Sequence, residues 1–320
     1  MTIQILIGAA LPPIVGDLNW RLKALAQTLF SVVPRGQSLN YLMQRHVTRS
    51  VPSRPEVISA DIRGFGEYLT DFARLTSTDL ETSVFYEFGA GIDLVGPLVM
   101  YCLGVNRQIV VDIRRLARPW LIKTAMQTIC DLRPKDARRL PSPLSMDSAD
   151  FFASLRERYG IDYLAPADAR ATSLADNCID CVTSTRTLEH IPPADIKKIL
   201  VECRRLTRAT GLIISTIDYQ DHYSYVDPSL TVYNFLHFSD PQWRIWNPAL
   251  QYQNRLRHSD YQRLFKASGW EVIEERRRPV TSEDLAALES VAVHKRFSRY
   301  DREDLATRGA VFIARPRPQP

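Results

Sequence analysis

The sequence predicts an α/β protein: a doubly wound, seven-stranded sheet with an N-terminal helical region before it and an aromatic-rich insertion after the fifth strand. Three observations carry that expectation. From residue 84 onward short apolar runs alternate with segments of helical period, the pattern of βαβ units. A glycine turn follows the first run, and the second run ends in an acid. The composition, 45% apolar and 24% charged over 320 residues, is that of an ordinary globular chain with room for one large domain and additions.

Residues 1–80 read as helical. Leu18, Leu22, Leu25 and Leu29 share one face after Asp17, a candidate cap, and Pro34-Arg35-Gly36 ends that helix. A second stretch carries Tyr41, Leu42 and Met43, and a third runs through Phe65, Leu69 and Phe72. These helices either cover a ligand cleft or pack on an edge of the sheet. The apolar opening MTIQILIGAALPPIV has no basic leader and is too short to span a bilayer, so it is expected to be mature protein, with no membrane partner.

Residues 81–315 hold the strands, expected at 84–88, 108–112, 161–164, 179–184, 212–218, 270–275 and 310–315. Helices fill the intervals: one through Leu98, Tyr101 and Cys102, one or two over 114–158, and one opened by Pro192-Pro193 whose buried face is Ile196, Ile199, Leu200 and Cys203. Gly211 is expected to end that last helix. Ser259 and Gln262 read as a capping box for a further helix that stops at Gly269. Residues 316–320 form a tail.

Net charge is +5, and the arginines are scattered in pairs rather than gathered in a stripe, which argues against a nucleic-acid partner. Cys178 and Cys181 form a lone C-x-x-C with no second ligand pair, so no metal site is expected and the five cysteines read as thiols in a reducing cytoplasm.

The turn Glu87-Phe88-Gly89-Ala90-Gly91-Ile92-Asp93-Leu94 lets a ligand approach the backbone. A dinucleotide fingerprint would need glycine where Ile92 or Leu94 stands, and Glu87 and Asp93 would repel a pyrophosphate. A cofactor with a cationic end, such as S-adenosylmethionine with its ammonium and sulfonium, suits those acids. Asp112 stands where a carboxylate takes ribose hydroxyls, and Asp168 with Ala169, beyond the third strand, where an acid and a backbone meet adenine.

On EFGAGID at 87–93, Asp112, the DAR at 168–170, NCIDCVTSTRTLEHIP at 177–192 and GLIISTID at 211–218, the chain resembles the class I S-adenosylmethionine-dependent methyltransferases, which share a Rossmann-like fold. The resemblance implies that Glu87, Gly89 and Gly91 hold the methionine part, Asp112 the ribose, Asp168 and Ala169 the adenine, and that Ser184, just past the fourth strand, lies near the cofactor amino group. The family's third glycine is replaced by Asp93.

The acceptor side is expected after strand five. Nine aromatics fall between Tyr219 and Tyr252, interleaved with polar groups. Residues 219–258 read either as a lid for a small polar molecule or glycan, with Tyr219, Asp221, Tyr223, Asn234, His237, Trp243, Asn254 and Arg255 touching it, or as a subdomain packed on the N-terminal helices. O-methylation of a hydroxyl needs a base, for which His222 is the candidate, with Asp221 or another nearby carboxylate setting its pKa. His190 either shares that work or braces the next helix. N- or carboxyl-methylation and a silent cofactor-binding scaffold are the rival functions.

Overall fold

The computed structural model describes residues 19–47, 50–142, 144 and 150–318. Among these, seven strands form one sheet of order β3-β2-β1-β4-β5-β7-β6: β1 Val84–Phe88, β2 Arg107–Val111, β3 Ile161–Leu164, β4 Ile179–Thr185, β5 Thr207–Asp218, β6 Trp270–Arg277 and β7 Gly309–Pro316. The first five run parallel, while β7 inserts antiparallel between β5 and β6. The helices are α1 Trp20–Val32, α2 Gly36–His46, α3 Pro55–Leu75, α4 Val95–Cys102, α5 Pro119–Leu132, α6 Phe151–Tyr159, α7 Pro193–Leu206, α8 Asp240–Trp246, α9 His258–Ala267, α10 Ser282–Glu289 and α11 Arg302–Ala306.

Side-chain alternation along each strand splits the core in two. Phe85, Cys181 and Leu212 face α3, α4, α5 and α6, where Phe65, Leu69, Phe72, Leu98 and Ile122 close the layer. Tyr86, Val182 and Ile213 face α7 and α9, meeting Ile196, Leu200, Cys203 and Phe265. Because α3 contributes to the first layer, that layer runs without a break from the N-terminal helices into the sheet. A third cluster joins Trp20 of α1 to the insertion after β5 and to the 288–306 segment. Fully buried Arg257 ties the end of β5 to the chain before β7, donating to the carbonyls of Tyr219, Leu305 and Thr307.

Several expectations need correction. Leu22, Leu25 and Leu29 are 62%, 52% and 57% exposed, while Trp20, Lys23, Ala24 and Gln27 are the buried face of α1. Helical spacing finds a stripe but does not say what it packs on, and here Trp20 anchors the helix against Tyr223, Phe238 and Trp246. Asp17 and Leu18 lie outside the described residues, as does the opening apolar run, and Asn19 caps α1 instead. Gly211 does not end α7. It lies inside β5, where a Cβ would come 2.7 Å from the Asp180 carbonyl, and the helix stops at Leu206. Ser259 is inside α9, and Asp260 reaches back to the Arg257 amide. Of the tail, β7 takes Pro316, Arg317 donates to the Gly269 carbonyl, and residues 319–320 lie outside the description. All five cysteines are free thiols. No helix among the described residues is long and apolar enough to cross a membrane.

Candidate functional site

The site lies along the carboxyl ends of the parallel strands, the usual ligand edge of a doubly wound sheet. Gly89 and Gly91 take φ of +76° and +78°, conformations that side chains rarely adopt. A Cβ on Gly89 would fall 2.4 Å from Thr187 Cγ2, so the turn after β1 is pressed against the loop after β4. Around Gly91 that space is open, as a backbone cradle for a ligand requires.

Glu87 is buried at the end of β1, and its Oε2 has no hydrogen-bond partner. Burial, reinforced by the Asp61 carboxyl, pushes its pKa up to about 8. Asp61 belongs to α3 and pairs with Arg186, which follows β4. Asp93 accepts from the Ser53 hydroxyl, and burial raises its carboxyl also. The helices before the sheet thus close over the glycine turn. Tyr68 of α3 adds hydrogen bonds to Thr185 and Thr216.

Asp112 is buried just beyond β2, raised by desolvation, with one oxygen accepting from the Arg114 amide at 3.1 Å. Asp168 is different. Its side chain is 40% exposed and taken by Arg170, which holds the carboxyl below its usual range and also bridges to Asp195. Ala169 packs beside the second core layer. Ser184 is not past the fourth strand. It lies within β4, wholly buried, and strand alternation turns it to the face opposite Glu87 and Thr183, away from the glycine turn.

These residues fit S-adenosylmethionine: an orphaned buried carboxylate oxygen awaits a cation, the open Gly91 turn admits a close approach, and Asp112 stands at the next strand end.

Beyond β4 and β5 lies a cavity of about 440 Å³, walled by Lys23, Gln27 and Asn40 of α1 and α2, by His190, and by His222, Tyr225 and residues 249–252 of the insertion. The rings of His190 and His222 meet edge to face, centroids 4.8 Å apart, and Tyr225 stacks on His222. His190 Nδ1 bonds the Tyr252 carbonyl at 2.8 Å. Burial, with His222 adding to it, lowers the pKa of His190 to about 4, so it is neutral at ordinary pH. Asp218, the last residue of β5, stands 3.4 Å from His222 Nε2. Burial opposes its ionisation, but His222, the Tyr225 hydroxyl and the Gln220 amide hold its pKa down at about 2. Glu189 is buried among them, and desolvation together with Asp218 raises its carboxyl well above the ordinary value. Lys23 is driven to about 8 by burial, against the pull of Asp221.

None of the residues expected to touch the acceptor lines this cavity; all but the exposed His237 have their polar groups engaged inside the protein. Asp221 accepts from the Tyr223 amide and Asn234. Tyr219 bonds His258 and stacks on Tyr261. Tyr223 and Trp243 are core, donating to the carbonyls of Trp246 and Gln253. His237, exposed, bonds the Ala292 carbonyl. Asn254 braces the turn after β4 through the carbonyls of Leu188 and Ile191. Arg255 is buried on the Phe235 and Phe238 carbonyls and Asp240. Sequence reasoning missed Glu189, Asp218, Lys23 and Gln27. Asp218 could have been found as the strand-end acid four residues before His222, and Lys23 and Gln27 as an i, i+4 polar pair beside the leucine stripe.

A family model described as a methyltransferase domain matches residues 146–215, which include β3, β4, α7 and most of β5. No curated protein matches the chain. Among solved structures, a 1,6-didemethyltoxoflavin-N1-methyltransferase from Burkholderia thailandensis, bound to 1,6-didemethyltoxoflavin and S-adenosylhomocysteine, is 13% identical over 96% of this chain and 94% of its own, with a TM-score of 0.45. The YcgJ protein from Bacillus subtilis is 13% identical over 81% of this chain and 99% of its own, TM-score 0.44. A geranyl diphosphate C-methyltransferase from Streptomyces coelicolor A3(2) is 10% identical over 83% of this chain and 86% of its own, TM-score 0.44. The methyltransferase-domain match lies on the β3–β5 part of a Rossmann-like sheet whose glycine turn after β1 is flanked by acids, so this stretch of the chain is similar to a methyltransferase domain.

Proposed function

We propose that the protein methylates a hydroxyl of a small polar molecule lodged in the cavity between the N-terminal helices and the loops after β4 and β5. The observation that carries this reading is the imidazole pair His190–His222, backed by Glu189 and Asp218, at the wall of that cavity. An amine can attack in its neutral form, whereas a hydroxyl must shed a proton as it attacks, and a proton acceptor is what this pair offers.

Bound S-adenosylmethionine supplies an electrophilic methyl group. Glu87 faces the cationic end of that molecule, Gly89 and Gly91 admit it to the backbone, Asp112 takes the ribose hydroxyls, and Asp168 with Ala169 meets the adenine. The His222 imidazole, steadied at Nε2 by Asp218, receives the hydroxyl proton while His190 stays neutral beside it. Gln27, Asn40 and Gln251 present amides to the cavity, and Lys23 a cation. That lining suits a polar acceptor such as a sugar or small phenol.

The test incubates pure protein with methyl-labelled S-adenosylmethionine and a panel of small hydroxylated metabolites, then identifies products by mass spectrometry. A methyl ether that survives alkali is expected. An alkali-labile methyl ester, or label on nitrogen alone, overturns the hydroxyl reading.

A further inference from the structure

We propose that Glu189, His190 and His222 form a binding site for a divalent transition-metal ion at the wall of the acceptor cavity. One donor atom from each lies within 4.8 Å of the other two. Donors on a single zinc-sized ion, bound at about 2.0–2.2 Å, stand roughly 3–4 Å apart, so the three must draw in by about an ångström.

Each residue is already prepared as a ligand. Glu189 is 2% exposed, and neither carboxylate oxygen has a hydrogen-bond partner; the amides of Glu189 and Asp218, the Asp218 carboxylate and Arg186 are its polar surroundings. A buried carboxylate left in that state is costly, and a cation resolves it. His190 Nδ1 meets the Tyr252 carbonyl, which can only accept, so the proton sits on Nδ1 and Nε2 keeps its lone pair. His222 is held from three sides: its amide donates to Gln253 Oε1, its ring contacts His190 and Tyr225, and Asp218 stands at 3.4 Å. The nearby Arg186 is paired with Asp61.

Two imidazoles and one carboxylate favour zinc, manganese, iron or cobalt over calcium. Three protein ligands leave positions open for water or the acceptor's oxygen, beside the cavity that both histidines line. The part played by the acceptor rests on the hydroxyl reading above. An ion-bound hydroxyl is more acidic and releases its proton to water, so in the loaded protein His222 serves as a ligand and the ion replaces it as the activating group.

The experiment titrates chelator-dialysed, untagged full-length protein with cobalt(II) and zinc(II), followed by calorimetry and by the visible absorption of cobalt. One ion per chain at micromolar or tighter affinity is expected. E189Q and H222A should each weaken it at least ~10-fold, while H46A, at an exposed histidine of α2, should not. Cobalt binding no tighter than millimolar, or affinity unchanged in both E189Q and H222A, overturns the site. If H222A does not fold, the near-isosteric E189Q decides. S-adenosylmethionine binding by each variant reports the fold. Product analysis keeps the two ideas apart: a methyl ether from protein that binds no metal sinks only the ion, and metal binding with an N-methyl product sinks only the hydroxyl acceptor.

Discussion

Asp218 Oδ2 lies 3.4 Å from His222 Nε2, so the carboxylate beside the candidate base comes from the end of β5 and not from the adjacent Asp221. Asp221 points the other way, into the Tyr223 amide and Asn234. In chelator-treated protein, H222A should lower kcat by the ~10²–10⁴ usual for loss of a general base, with cofactor affinity intact. D218N should shift the pH–rate profile, whereas D221N should lower stability and leave the profile in place. A D221N profile displaced as far as that of D218N would contradict this assignment.

As the proposed partner of the cofactor's cationic end, Glu87 should make cofactor binding depend on pH. Its pKa in the free protein is raised from 4.5 to about 8, so its contribution to stability is whole below 4.5 and is lost as pH rises through about 8. A cationic ligand favours the ionised form, and binding should expel a proton. Between about pH 8.5 and 6.5 the affinity for S-adenosylmethionine should fall by about an order of magnitude, and E87Q should be weak and flat over the same range. Calorimetry in buffers of different ionisation enthalpy reads both the affinity and the proton.

In the proposed site Asp112 takes the ribose and, with the glycine turn, sets the choice of cofactor. D112A should weaken S-adenosylmethionine by roughly 1.5–3 kcal/mol, the scale of a hydrogen bond to a charged group. Above about pH 8, where Glu87 is ionised and opposes a pyrophosphate, the parent protein should show no micromolar affinity for NAD. Competition between the two ligands tests this directly.

The two glycines of the turn should respond unequally. G91A meets open space and costs about the 1–2 kcal/mol of a side chain in the left-handed region. G89A adds a contact at 2.4 Å with Thr187, so it should destabilise further and disturb the loop that carries Glu189 and His190. Urea unfolding measures the difference, and equal losses would count against the contact.

Trp243 is a packing residue. W243A should cost about 3–5 kcal/mol of stability and leave the acceptor KM of the folded protein nearly unchanged. Q251A, which changes the cavity wall, should raise the acceptor KM with little loss of stability. Steady-state kinetics beside denaturant unfolding separates the two classes.

Local chemistry was enough to read the sheet. Alternating apolar runs located β1 and β3 to the residue and most other strand ends to within two, because period and turn residues are properties of adjacent positions. The early start of β5 escaped, since Gly211 looks like a helix stop until its contact with the Asp180 carbonyl is known. The glycine turn and Asp112 were legible for the same local reason, their places following from strand order.

The acceptor side was decided only by tertiary packing. An aromatic, polar-studded insertion has one composition whether it walls a ligand or fills a core, and the partner that chooses between them is Trp20, far back along the chain, which draws Tyr223 inward. Likewise Asp221 and Asp218 are equally plausible neighbours of His222 in one dimension. Only the direction in which the chain leaves β5 sends Asp221 to Asn234 and leaves Asp218 at the histidine. Residue types and their spacing along the chain thus determined the sheet and its cofactor edge, while the meeting of Glu189 and His190 with His222 required the folded loops after β4 and β5 that bring them together.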